Sequence, residues 1–432
     1  LITLIKNGFV IDPVSDREGI YDILIEDRII KRVAAGLTEE IKKFETGSSL
    51  TVIDAKGNYV MPGFIDVHVH LREPGFEYKE TIKSGSMAAA AGGYTTICPM
   101  PNTKPAIDSA EMVKLILKKA KEESVVNILP IGAVTKRQGG MELADIQDMA
   151  AAGAVAVSED GKSVIDTALY WEGMRQAAKA GIPVFAHCED KRLAGKGVMN
   201  AGKNAKKLGL PGICNAVEDI ITARDIILAR ETKARLHICH CTTKDGVKMI
   251  GLAKKEGLLV TGEVCPHHFT LTDDDILNDD ANYKMNPPLR STEDVKALKE
   301  ALRDGVIDVI ATDHAPHSAK EKAESMAVAP FGIVGLETAF ALTMTKLVKT
   351  GYLSPRQMVE KMSVNPAKIL GIERGSIGEN QVADLVIADP NAEYIIDKNK
   401  FYSMGKNTPF DKKKVTGKIL YTFVEGKLVY SY

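Results

Sequence analysis

Near-continuous apolar runs, separated by stretches with helical spacing, dominate the middle of this chain. Runs at 61–68, 94–99, 126–131, 154–158, 183–187, 235–240, 258–264 and 307–312 read as strands, eight in all. They are too uniformly apolar to keep one face wet, which is how strands covered on both faces read. Between them, 111–123 and 166–180 show amphipathic spacing. Asn215-Ala216-Val217-Glu218 reads as the capped start of a helix running to about residue 230. Strand–helix alternation of this kind predicts an α/β fold, a (β/α)8 TIM barrel over residues 59–370.

The flanks follow another pattern. Short strands with turns are expected at 3–6, 22–25 and 28–32, and again at 383–388, 418–424 and 427–430. Neither flank alone buries enough surface to stand as a domain. Residues 1–58 and 371–432 are therefore predicted to build one small β-sandwich from both chain ends. Three long connections, 188–214, 265–291 and 313–335, each follow a strand, on the barrel face that carries chemistry in such folds. The first contains Gly195, Gly197, Gly202, Lys203, Lys206 and Lys207 without a Walker pattern, and is expected to be a solvated, mobile loop.

Composition narrows the classes. Lys+Arg 56 balances Asp+Glu 57, which argues against a nucleic-acid groove or a polybasic membrane face. Apolar residues at 45% suit a globular protein with a sizeable core. No apolar run approaches the roughly 20 residues that span a bilayer, and the first residues lack a secretory pattern. Cys98, Cys188, Cys214, Cys239, Cys241 and Cys265 form no Cys-x-x-Cys pair and read as small buried thiols. A cytoplasmic protein is expected.

The chemistry concentrates at strand ends. In Asp66-Val67-His68-Val69-His70, strand alternation points His68 and His70 the same way. Further along, strand ends present Arg72, Asn102, Glu159, Asp160, His187, His240, Asp313 and His317. His68, His70, His187, His240, Asp313 and one bridging carboxylate suffice for two divalent ions. Imidazole and carboxylate donors without thiolate suit zinc, with manganese or cobalt as substitutes. Such a pair activates water and polarises a carbonyl, and Asp313 would carry the proton to a leaving nitrogen. His237 is expected to be structural, His314 to point away from Asp313, and His267-His268 to orient other groups rather than bind metal.

The stretches Asp66–Gly75 and Ala311–His317, with Lys322 beyond, resemble the two signatures of dihydroorotases, members of the amidohydrolase superfamily. Met100-Pro101-Asn102-Thr103, Asn286-Pro287-Pro288-Leu289-Arg290 and Pro330-Phe331-Gly332-Ile333-Val334-Gly335 are similar to that family too. The resemblance spans nearly the whole chain and matches the longer form with the β-sandwich. It implies that His68, His70 and Asp313 hold one zinc ion and His187 and His240 a second, with Asp160 bridging. It places substrate contacts at His70, Arg72, Asn102, Asn286, His317, Phe331 and Gly332, with Arg72 and Asn102 on a carboxylate. The family usually has two aspartates before the glycine, whereas Glu159 stands first here. Asp160 is preferred as the bridge over a carboxylated Lys162.

The implied activity is reversible, metal-dependent cyclisation of N-carbamoyl-L-aspartate to (S)-dihydroorotate in pyrimidine biosynthesis. A homodimer and an association with aspartate transcarbamoylase are implied partners. The alternatives are another cyclic amidohydrolase (dihydropyrimidinase, hydantoinase or allantoinase) or a silent paralogue acting in assembly. The former would lack the Arg72/Asn102 pair, and the latter would have lost ligands.

Overall fold

The computed structural model describes residues 2–37 and 50–432; residues 1 and 38–49 of the predicted N-terminal flank lie outside the described residues. The middle of the chain supplies two parallel sheets. Phe64–Val69, Tyr94–Pro99 and Asn127–Ile128 form the first, and Ile131–Ala133, Ala156–Ser158, Val184–Ala186, Leu236–Ile238, Val260–Val264 and Val309–Ile310 the second, each in chain order. Leu129-Pro130 separates the adjoining strands, since proline has no N–H to give to a ladder. At the other end Val69 bridges in parallel to His314, and the His70 amide donates to the His314 carbonyl at 2.8 Å.

Every residue of Phe64–Val69 and Tyr94–Pro99 is buried, because helices cover one face and the strands' own side chains fill the other. Ile82–Ala91 begins with a Thr81/Ser84 capping box, and Ala110–Glu123 with Ser109 accepting from the Met112 amide. Thr167–Ala180 starts at Asp166, which accepts two amide protons, and stops at Gly181, whose φ of 73° ends the helix. Phe64 meets the Tyr94 ring edge-on at 5.7 Å and stacks on Phe340 at the same distance, tying the first strand to a helix near the chain's end.

The flanks pair into one eight-stranded sheet. Its order runs from Lys427–Ser431 through Lys414–Val424, Leu385–Ile395, Tyr59–Pro62, Ile2–Asp12 and Arg17–Glu26 to Ile29–Ala34, with Leu50–Asp54 also on Ile2–Asp12. Ile29 bridges to Val382, so the far edge returns toward the C-terminal segment. Ile5, Val10, Ile23, Ile25, Leu385, Ile387 and Phe423 share the core inside this sheet.

Four local expectations change. The run 126–131 is two short strands, Asn127–Ile128 and Ile131–Ala133, one in each parallel sheet. The run 61–68 is two strands: Tyr59–Pro62 belongs to the flank sheet and Phe64–Val69 to the parallel set. Gly63 makes the handover, because a Cβ there would stand 2.2 Å from Thr95 Cγ2. The helix Ala216–Thr232 has no side-chain cap from Asn215, whose amide instead faces Asp294, while Glu218 receives Thr242 and Arg290. Segment 188–214 is built rather than loose, with helices Lys191–Ala194 and Lys203–Leu208 and paired strands Met199–Asn200 and Gly212–Ile213. Val198, Met199 and Ala205 are buried there, and Arg290 donates to Asn200 Oδ1 and the Ile213 carbonyl.

Candidate metal centre

The C-terminal ends of the parallel strands converge on one carboxylate. Asp160 follows Ala156–Ser158 by two residues, and its Oδ1 lies 3.3 Å from His68 Nε2, 3.6 Å from His187 Nδ1 and 3.8 Å from His240 Nε2. Its Oδ2 lies 3.4 Å from His70 Nε2. Asp313 Oδ1 sits 2.9 Å from His70 Nε2 and 3.4 Å from His68 Nε2. His187 Nδ1 and His240 Nε2 are 2.8 Å apart. The structure thus brings His68, His70, Asp160, His187, His240 and Asp313 together, all buried.

Chain geometry is spent to achieve this. His240 and Asp313 hold positive φ of 33° and 48°, and nearby Arg72 holds 62°. Left-handed conformations at non-glycine residues cost of order 1–3 kcal/mol and gather where surrounding structure over-determines them. Each of these residues lies just past a strand, where the chain must turn while its side chain still faces inward.

Electrostatics match the crowding. Burial works against protonation of His68, but Glu263, Asp160 and Asp313 outweigh it and hold the ring well above the usual histidine range. Burial would raise Asp160, yet the His68 charge and the close His240, His68 and His70 rings carry it well below the usual carboxylate range. Asp313 is lowered in the same way by His68 and His70. Carboxylate and imidazole are each other's charge partners here, and a dication among them would serve both. His68 Nε2 and Asp160 Oδ1, 3.3 Å apart, are buried with no hydrogen-bond partner among the described residues. Unmatched donor atoms of imidazole and carboxylate type, aimed at one another, fit divalent metal.

Two acidic side chains in this region escaped the sequence reading. Glu263, fully buried, accepts from His68 Nδ1 at 2.6 Å, from His237 Nε2 at 3.0 Å and from the His240 amide at 3.1 Å. Its one signal was an acid inside the otherwise uncharged strand Val260–Val264. His237, bonded also to Thr261 at 2.8 Å, supports Glu263. Glu189 lies 3.2 Å from His187 Nε2, with the Asn286 side chain close by. His314 turns away to Glu80 at 3.3 Å. Lys162 donates to the Gln138 carbonyl at 2.8 Å, and Glu159 receives the Thr135 hydroxyl and amide.

A second group adjoins the cluster. Asn102 lies 2.9 Å from His70 Nδ1 and donates to Asp160 at 3.4 Å. Arg72 donates to the Pro316 carbonyl at 3.1 Å, with Nη2 3.2 Å from His317 Nε2. His317 Nδ1 faces the Lys79 ammonium at 3.2 Å, so Nε2 carries the proton donated to the Phe331 carbonyl at 2.8 Å. Burial, with Arg72, Lys79 and Lys322 nearby, lowers His317 to about 2. Gly332, at φ 131°, packs where a Cβ would stand 2.7 Å from the Ala315 Cβ and 3.1 Å from His317 Nε2. Lys322 donates to the carbonyls of Lys284, Pro330 and Gly332, three acceptors for three ammonium protons.

A buried histidine–carboxylate cluster at the ends of parallel strands, rimmed by arginine and asparagine, defines a metal-dependent hydrolase of the amidohydrolase type. Residues 57–246 match the family model described as dihydro-orotase-like. The chain is 48% identical over 426 residues to a dihydroorotase of Acetivibrio thermocellus, covering 99% of this chain and 98% of that one. It is 47% identical over 430 residues to a dihydroorotase of Staphylococcus epidermidis, with 99% of each covered. Among solved structures, an L-hydantoinase (dihydropyrimidinase) from Arthrobacter aurescens superposes with a TM-score of 0.87 at 28% identity, covering 99% of this chain and 96% of that one. A D-hydantoinase (dihydropyrimidinase) from Thermus sp. gives 0.85 at 28% identity, with 100% and 96% covered. This chain belongs to the dihydroorotase family.

Proposed function

We propose that this protein interconverts N-carbamoyl-L-aspartate and (S)-dihydroorotate, running as ring closure in pyrimidine biosynthesis. The observation that carries the reading is the Asp160-centred cluster of four histidines and two aspartates beside Arg72, in a chain 48% identical to a named dihydroorotase. The parallel sheets, joined through the Val69–His314 bridge, read as a closed (β/α)8 barrel over about residues 59–370, and the flank sheet as a β-sandwich from both ends.

His68, His70 and Asp313 would hold one divalent ion, and His187 and His240 the other, with Asp160 between them; zinc suits the donors. Bound there, the ions supply Lewis acidity toward the amide carbonyl and toward water. Glu263 and Asn102 fix the ring orientations of His68 and His70. Asp313, within 2.9 Å of His70 and placed at the centre, takes a proton from water on hydrolysis and returns it to the ring nitrogen as the C–N bond breaks. Closure reverses this: nitrogen gives up its proton, the C–N bond forms and water leaves. Closure of the dianion consumes one proton, so mildly acidic pH favours the ring and alkaline pH the open form.

Arg72 and Asn102 bind the ring carboxylate, while Asn286, His317 and the Phe331-Gly332 backbone meet the ring amides. Lys162, held on the Gln138 carbonyl, is a poor bridge beside Asp160. No helix among the described residues is long and apolar enough to cross a membrane, and we place the protein in the cytoplasm as a homodimer able to associate with aspartate transcarbamoylase.

The test is activity on dihydroorotate, dihydrouracil and hydantoin alongside metal content. Turnover of dihydroorotate with about two ions per chain is expected. Preference for dihydrouracil or hydantoin would favour a dihydropyrimidinase activity, as in the solved structural neighbours.

A further inference from the structure

The strand Val260–Val264 ends in a turn carrying Cys265, His267 and His268, the last two on the short helix Pro266–Thr270. All three side chains are buried, at 0%, 2% and 2% exposure. One ring nitrogen from each histidine and the Cys265 sulfur lie within 4.8 Å of one another. Nine buried side-chain polar atoms lack a hydrogen-bond partner among the described residues; two of them are His267 Nε2 and His268 Nδ1, on adjacent residues. Leaving a buried polar atom unmatched is destabilising. Two together call for an occupant.

The chemistry of His268 narrows what that occupant is. Its Nε2 lies 2.9 Å from the Pro287 carbonyl, which can only accept, so Nε2 bears the proton and Nδ1 presents a bare lone pair. A ring held by a carbonyl on one nitrogen and open on the other is how metal-binding imidazoles are oriented. Cys265 adds a sulfur donor that the histidine–carboxylate centre lacks.

We propose that Cys265, His267 and His268 form a further metal site, for a thiophilic divalent ion of the zinc class. Thiolate and imidazole donors select zinc, cobalt and cadmium over magnesium or calcium. On binding, the Cys265 thiol releases its proton to solvent and the thiolate forms the metal–sulfur bond, with no change of oxidation state. Donor atoms on a tetrahedral ion stand roughly 3.3–3.6 Å apart, given metal–sulfur near 2.3 Å and metal–nitrogen near 2.0 Å. The three side chains therefore close inward by up to about one ångström, and water completes the shell. Through His268 and Pro287 the ion stiffens the loop that carries Asn286, without depending on which cyclic amide the enzyme takes.

The test is cobalt substitution of the full-length protein, stripped with a chelator and titrated with Co2+. Thiolate-to-cobalt charge transfer gives a near-ultraviolet band that histidine and carboxylate ligands cannot produce. We expect the band with a third equivalent of cobalt, its loss with one equivalent in Cys265→Ser, and its persistence in Cys239→Ser, where the buried thiol grouped with His68 and Glu263 is removed. His268→Gln should weaken the third equivalent at least about 10-fold. Should Cys265→Ser fail to fold, the wild-type titration and His268→Gln decide. A wild-type protein without the band, a band surviving in Cys265→Ser, unchanged third-site affinity in His268→Gln, or a band lost only in Cys239→Ser would each overturn the site.

Discussion

Replacing Glu263 by glutamine tests whether the centre depends on a residue that would touch neither metal nor substrate. Three donors converge on this carboxylate: His68 Nδ1 and the His240 amide on Oε1, and His237 Nε2 on Oε2. Glutamine keeps the shape but offers one acceptor oxygen and one NH2. Its oxygen belongs at the Oε1 position, where two donors meet, which turns its NH2 toward His237. His237 can answer by moving its proton to Nδ1, where the Thr261 hydroxyl accepts. The geometric loss is therefore partial, and the main loss is the negative charge opposite His68. A hydrogen bond to a charged group contributes about 1.5–3 kcal/mol, and the neutral bond that replaces it recovers about 1 kcal/mol. The difference, about 0.5–2 kcal/mol, is a roughly 2- to 30-fold weaker hold on the ion at His68. Glu263→Ala, which strands both imidazoles, should reach about 100-fold. Competition titration against a chromophoric zinc chelator reads the affinity, with thermal unfolding of the metal-free proteins as the control for fold. If Glu263→Gln and Glu263→Ala both bind two ions as tightly as the wild type, Glu263 is a buried structural acid and the orienting role is wrong.

Asp160→Ala should lose a metal and nearly all activity, while Lys162→Ala keeps both ions and most of its rate; rescue of an inactive Lys162→Ala by a short carboxylic acid would instead make a modified lysine the bridge. Arg72→Met should weaken dihydroorotate binding about 10- to 200-fold, from the 1.5–3 kcal/mol of a charged hydrogen bond, and unchanged steady-state kinetics would remove Arg72 from the carboxylate site. His317, lowered to about 2 from an ordinary 6.5, binds its proton only in the unfolded chain between those values. Wild-type stability should thus fall as pH drops below about 6.5, by up to about 1.4 kcal/mol per pH unit relative to His317→Gln. Parallel urea-unfolding profiles of the two proteins at pH 5, 6 and 7 would contradict this.

Much of the architecture was legible along the chain. Alternation of both-sides-buried strands with amphipathic helices is a local signal, and it placed the strands of the two central parallel sheets within a few residues, except that it merged Asn127–Ile128 and Ile131–Ala133 into one. The histidines could be found because strand period two places His68 and His70 on one face, and because the remaining candidates recur just past strand ends. The reading failed where a decision depended on contacts distant in sequence. The uninterrupted run 61–68 divides between two sheets only because Gly63 must pass beside Thr95 and Leu385–Ile395 offers a pairing edge 300 residues later. Segment 188–214 looked mobile because its glycines and lysines are visible in sequence, while the partners of Val198 and Met199 and the reach of Arg290 are not.

Sequence by itself determined the residue types available for chemistry, their order, and the strand on which each would ride. Tertiary structure alone decided how they meet. Asp160 faces four histidines from three other strands, Glu263 buttresses His68 across 195 residues, and His268 is aimed by a carbonyl 19 residues away. A charge acquires its meaning from what surrounds it within a few ångströms, and chain closure brings those neighbours together from positions that no local pattern connects.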